Sequence, residues 1–143
     1  MPAARASARS TVVAMDARQL EGVSLFSGLS KQERGTLARW TDEVSVPAGY
    51  ALATEGHFAH EFFVIEEGTA EVTRNGERVA ELGPGEFFGE IGLLETERRT
   101  ANVVATTPMK LIVMFQREFT QMERDLPAVA DRIRSAIRAR LSD

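Results

Sequence analysis

Between Pro47 and Phe115 turn residues cut the chain every few positions, and this spacing constrains the fold more than any other feature of the sequence. Four short segments rich in β-branched and aromatic residues come first: Tyr50 to Thr54, Glu61 to Glu66, Thr69 to Arg74 and Glu77 to Leu82. Gly56 and Gly68 fall in the loops between them. Segments of this length bounded by turn residues read as strands, because a helix needs a longer periodic run. Asn75-Gly76 joins the last two and is a type I′ hairpin signal, since both residues tolerate positive φ. A two-residue turn sets Arg74 opposite Glu77 and Val72 opposite Val79, so an ion pair and an apolar pair fall together. Thr100 to Thr106 and Met109 to Phe115, parted by Thr107-Pro108, supply the last strands. Many short strands with regular turns predict a sandwich or a barrel.

Both flanks read as helix. Ser30-Lys-Gln-Glu33 has the form of a capping box, which satisfies two orphan donors at a helix start. The helix continues through Leu37 and Trp40, with Gly35 costing about 1 kcal/mol of propensity. After Gln116, Phe119, Met122 and Leu126 keep helical spacing until Pro127, whose ring ends one helix and opens the next. That last helix sets Val129, Ala130, Ile133, Ile137 and Leu141 on one face and Arg132, Arg134, Arg138 and Arg140 largely on the other. Residues 1–15 are rich in Ala, Arg, Ser and Thr and are read as a disordered leader, with Met15 an alternative start.

Composition removes several classes of function. A chain of 143 residues is one domain by prior and buries roughly two-thirds of its unfolded surface. Without cysteine there is no disulfide framework, thiolate metal site or cysteine nucleophile. Lysine occurs only at 31 and 110, which leaves no P-loop or Schiff-base lysine. The net charge of −4 argues against a chain built to grip nucleic acid. The six arginines after Gln116 are offset by five acids, and no residues remain for a helix-turn-helix. No apolar run approaches a membrane span.

The chemistry concentrates between Phe87 and Ala105. Gly89 and Gly92 bracket Glu90, a short apolar turn follows through Ile91, Leu93 and Leu94, and Arg98-Arg99-Thr100 then opens a strand. A glycine lets backbone approach a ligand closely, and amides at a helix start offer unpaired N–H groups to an anion. Arg99 adds a guanidinium fork matched to two phosphate oxygens. Glu90 would repel a phosphate, so its partner must be a hydroxyl donor, such as a ribose.

Gly89-Glu90-Ile91-Gly92-Leu93-Leu94, four residues and then Arg99-Thr100-Ala101 resembles the phosphate-binding cassette of cyclic nucleotide-binding domains. These occur in the catabolite activator protein, kinase regulatory subunits and cyclic-nucleotide-gated channels. The resemblance runs from about residue 20 through Arg117-Glu-Phe119-Thr-Gln-Met122 and the Leu126-Pro127 break. It implies a mainly β fold: an eight-stranded jelly-roll (double-stranded β-helix) barrel with N-terminal helices over 16–42, the jelly-roll over 43–115 with its cassette at 87–101, and two C-terminal helices over 116–143. The domain is then a single cyclic nucleotide-binding domain over 16–143. In the family the cassette glutamate holds the ribose 2′-hydroxyl, and the arginine and backbone amides hold the cyclic phosphate. By resemblance the ligand-binding set is Gly89, Glu90, Ile91, Gly92, Leu93, Arg99, Thr100 and Ala101, with Ile133, Ile137 and Leu141 as a lid over the base.

The expected function is non-catalytic binding of a cyclic nucleotide, cAMP in preference to cGMP, by a cytoplasmic signalling sensor whose C-terminal helix responds. No catalytic residue, metal or further cofactor is expected. A homodimer or a protein partner would use that helix. The alternatives are the effector domain of a catabolite-activator-type transcription regulator without its helix-turn-helix, and a cupin-like metalloenzyme. Cupins share the jelly-roll and use a His-x-His pair, a carboxylate and a third His. Here His57 and His60 are the only histidines and their spacing is His-x-x-His beside Glu61, so they read as loop residues.

Overall fold

The computed structural model describes residues 11–56, 61–89 and 101–141, with the backbone alone for Ser24, Ala136, Arg140 and Leu141. The chain begins with β1 (Thr11–Ala14), the short helix α1 (Ala17–Leu20), a single 3-10 turn (Ser24–Phe26) and α2 (Lys31–Ala38). Eight strands follow: β2 (Asp42–Val46), β3 (Ala51–Ala53), β4 (Glu61–Glu67), β5 (Ala70–Arg74), β6 (Glu77–Leu82), β7 (Phe87–Phe88), β8 (Asn102–Ala105) and β9 (Met109–Phe115). Helices α3 (Gln116–Asp125) and α4 (Pro127–Leu141) close the described chain.

The fold is mainly β, with antiparallel pairing throughout the described strands, but the closed eight-stranded barrel expected from the sequence is not what forms. The nine described strands make two separate sheets, one of five in the order β1-β2-β9-β4-β7 and one of four in the order β3-β8-β5-β6. Strands as short as β3 and β7 cannot carry the hydrogen bonds that would join the sheets into a closed ring.

The leader expected over 1–15 also differs where it is described. Thr11–Ala14 pairs with β2, setting Val13 opposite Glu43, and Met15 is buried. Two β-branched valines beside the open edge of β2 account for this pairing.

Alternation along the central strands divides the interior into two cores. Phe63 and Ile65 of β4, with Leu111 and Val113 of β9, face the four-stranded sheet. Phe62 and Val64, with Ile112 and Met114, face the opposite way and pack against Leu20, Phe26, Leu37, Phe119 and Ile133 from the helical segments. The five-stranded sheet is therefore a wall between a sandwich core and a helical core.

The helix caps form as expected, but α2 ends at Ala38 with Arg39 as its C-cap, so Trp40 lies beyond it. Ser30 Oγ accepts from the Glu33 amide at 3.1 Å, and Glu33 Oε1 accepts from the Ser30 amide at 2.8 Å. That backbone hydrogen bond, aided by nearby Arg132, holds the Glu33 carboxyl below its ordinary range. Asp16 and Gln19 form a second capping box at the start of α1. The β5–β6 hairpin turns on Asn75 and Gly76, at φ 55° and 81°, with Arg74 opposite Glu77 as expected. Thr73 opposite Arg78 keeps that register, but a bulge then leaves Val79 50% exposed and sets Ala80 opposite Val72. Without the bulge Glu81 would face the core beside Ala70; with it, half-buried Leu82 takes that place.

Candidate functional site

The sandwich opens at the β6 edge. In the four-stranded sheet, Ala105, Ala70 and Leu82 lie side by side, and the next row is Val103, Val72 and Ala80. Ala70 and Val103 belong to the sandwich core, so both rows face inward. Across the second row Val103 is buried, Val72 half-buried and Ala80 exposed. The row is therefore covered at β8 and exposed at β6, the edge strand of the four-stranded sheet.

The described ends of the cassette lie on opposite walls of this opening. Phe88, on the edge strand β7, pairs with Phe63 of β4, and their rings stack with centroids 4.8 Å apart. Gly89 follows directly with φ 86°, a conformation that disfavours a side chain. Half-buried Ala101 immediately precedes β8 of the other sheet. Gly89 and Ala101 therefore adjoin strands of different sheets, β7 of the five-stranded and β8 of the four-stranded one. Glu90, Ile91, Gly92, Leu93, Arg99 and Thr100 lie outside the described residues, as do His57 and His60.

The lid residues are not at this opening. Ile133 and Ile137 are 1% and 0% exposed within the helical core, on the far side of the five-stranded sheet from Val103 and Val72. Leu25, Phe26 and Leu29 line a groove of about 420 Å³ with Arg132 and Ile133. Arg132 also reaches Glu33 of α2 at 2.7 Å, and Arg134 pairs with Glu123 of α3 while its guanidinium lies 5.5 Å from the Phe119 ring. In this conformation α4 covers the helical core.

Sequence reasoning missed Asn102, which follows the cassette at the head of β8. Its Oδ1 accepts from the Glu55 amide at 2.8 Å, and its Nδ2 donates to Thr73 Oγ1 at 3.4 Å. Glu55 Oε1 in turn accepts from the Asn75 amide at 3.3 Å. One side chain thus ties the start of β8 to the turn after β3 and to β5, and Glu55 carries the tie on to the hairpin. The signal available was a poor strand former placed before Val-Val-Ala. Among the described residues no group of three or more His, Cys, Asp or Glu side chains is arranged to hold a metal, and no helix is long and apolar enough to cross a membrane.

Two antiparallel sheets, with helices packed on the outer face of the five-stranded one, define the fold. Comparison with known proteins makes this specific. The family model of the cyclic nucleotide-binding domain matches residues 43–125, and the chain belongs to that family. It is 37% identical over 105 residues to a cAMP-dependent protein kinase regulatory subunit from Yarrowia lipolytica, covering 72% of this chain and 28% of that one. It is 29% identical over 129 residues to the Cyclic AMP receptor protein of Thermus thermophilus, covering 87% of this chain and 60% of that one. Among solved structures, the N-terminal domain of a transcriptional regulator from Streptomyces coelicolor superposes with a TM-score of 0.74 at 27% identity, over 87% of this chain and 92% of that one. The chain spans less than a third of the length of the kinase regulatory subunits it matches.

Proposed function

We propose that this chain is a non-catalytic sensor of a cyclic nucleotide monophosphate, with cAMP bound in preference to cGMP. The observation that carries the reading is the inward-facing apolar row of Val103, Val72 and Ala80, buried near Ala101 of the cassette and exposed at the β6 edge. In this reading Glu90 accepts the ribose 2′-hydroxyl, while Arg99 and the amides from Gly89 to Gly92 hold the phosphate. Ile91, Leu93, Thr100 and Ala101 complete the cassette. Two relatives named for cyclic AMP support the choice of nucleotide.

The response is assigned to α4. It joins α3 through Leu126, which has a non-helical backbone at φ −138° and ψ 61°, followed by Pro127. Ile133 and Ile137 would leave the helical core and, with Leu141, close over the base, so the ligand must supply contacts that the docked helix lacks. The resemblance to a transcriptional regulator's N-terminal domain supports a second output, in which the same sensor controls a DNA-binding segment elsewhere in a longer chain.

Calorimetric titration with both nucleotides tests the binding. Truncating one partner of a buried charge pair costs roughly 2 to 5 kcal/mol, about 30-fold to several thousand-fold in affinity. Arg99→Ala should lose binding on that scale while Arg98→Ala changes little. Absence of binding to either nucleotide, or equal losses from the two variants, would overturn the reading.

A further inference from the structure

We infer that Asn102 is a positioning residue for nucleotide binding, a role that rests on the chain being a cyclic nucleotide sensor. Its side chain fixes, from the outer face of the four-stranded sheet, the point where the cassette enters β8.

Backbone pairing leaves that point weakly held. The ladder between β3 and β8 carries a register shift within three residues and ends with Ala53 opposite Val103. The ladder between β5 and β8 ends with Thr73 opposite Asn102, and the bulge in the β5–β6 pairing falls between Val72 and Thr73 beside it. Ala101, the last residue of the cassette, precedes Asn102 and lies outside both ladders. Strand pairing therefore stops short of the residue that carries the cassette into the sheet.

Asn102 supplies what the ladders do not. Its Oδ1 accepts at 2.8 Å from the amide of Glu55, two residues past the end of β3, which satisfies a backbone donor that the ladder leaves over. Its Nδ2 donates to Thr73 Oγ1 at 3.4 Å, so the same side chain also reaches the strand on the other side. Asn102, Glu55 and Thr73 are all half-buried, and Glu55 Oε1 accepts in turn from the Asn75 amide of the hairpin turn. One carboxamide, an acceptor and a donor on the same carbon, thus spans β3, β8 and β5 where two ladders run out.

Val103 faces the sandwich core, so Asn102, its neighbour in the strand, points to the other face. It acts on a ligand at the inner face through the backbone on either side of it. Arg99 lies three positions before Asn102, and Val103 of the apolar row follows it directly. Fixing the chain between them sets the phosphate anchor relative to the wall that receives the base. An anchor correctly placed only part of the time lowers the apparent affinity by that fraction.

Calorimetric titration of the full chain with cAMP, beside urea denaturation and amide exchange, tests the assignment. Asn102→Val and Asn102→Thr introduce side chains of one shape that both favour strand, so the two variants differ in a single hydroxyl and should be equally well folded. The valine leaves the Glu55 amide without its acceptor, whereas the threonine Oγ1 can take that bond after a small shift of the turn. Asn102→Val should bind cAMP about tenfold more weakly than wild type, and Asn102→Thr should recover most of the loss. Without ligand, the Glu55 amide should exchange faster in Asn102→Val and stay protected in Asn102→Thr. Wild-type affinity in Asn102→Val, equal losses in the two variants, or unchanged exchange at Glu55 would overturn the positioning role and leave the sensor reading intact. A wild-type chain that binds neither cAMP nor cGMP would overturn both.

Discussion

Ile133→Ala tests the position of α4. Ile133 is 1% exposed in the helical core, and truncations of this kind cost about 2 to 5 kcal/mol in transfer and cavity terms. The groove of about 420 Å³ beside it lets water and neighbouring side chains relax into the space, which favours the lower part of that range, about 2 to 3 kcal/mol. For a domain of this size that is roughly 6 to 15 °C in Tm. Urea denaturation would read it directly, and a loss under about 1 kcal/mol would refute the packing described here. The variant also bears on the switch, through a companion substitution on the facing wall. Leu29→Ala weakens the docked state of α4 without altering α4 itself. If the helix must leave the helical core to close over nucleotide, destabilising that core contact shifts the population toward closure, and affinity should rise about tenfold for each 1.4 kcal/mol of docking lost. Unchanged affinity in a folded Leu29→Ala protein would sink the idea that α4 moves.

Gly68→Ala should destabilise the fold by roughly 2 to 5 kcal/mol, combining left-handed backbone strain with overpacking. Gly68 sits at φ 92°, and an added Cβ would lie 2.4 Å from the Pro108 carbonyl oxygen, which is backbone and cannot swing aside. A loss under about 1 kcal/mol by denaturant titration would contradict this. At the nucleotide site, a 2′-deoxy cyclic nucleotide should bind wild type at least tenfold more weakly than its parent, a loss of about 1.4 kcal/mol, and should discriminate little in Glu90→Gln. Equal binding of the two ligands by wild type would assign Glu90 another role.

The strands and caps were legible because they depend on local chemistry. Glu77–Leu82 and Met109–Phe115 form where alternation and turn residues place them, and Ser30 caps as its spacing to Glu33 requires. The misses are where tertiary context wins. Val79 fails to meet Val72 because a bulge spares the core from Glu81, a choice that only the opposite sheet can impose. Thr11–Ala14 joins the sheet because β2 offers an edge, which composition alone does not reveal. At the site, Gly89 was legible from its neighbours, whereas the Asn102–Glu55 tie spans 47 positions of sequence and has no local signature. The stripe on α4 correctly marked a buried face, but periodicity cannot say which core receives it. The structure places Ile133 and Ile137 in the helical one.

The two cores meet most directly at β7. Phe87 and Phe88 point to opposite faces of the five-stranded sheet, as adjacent strand residues must. Phe87 packs against the helical core with its ring 5.6 Å from Phe62, while Phe88 stacks on Phe63 in the sandwich core. Gly89, the first residue of the cassette, follows them in sequence. β7 is a two-residue edge strand held by β4 alone, so it can shift at less cost than any central strand. A displacement of Gly89 therefore moves one aromatic ring in each core. The sheet that separates the two cores is least constrained, mechanically, where β7 leads into Gly89.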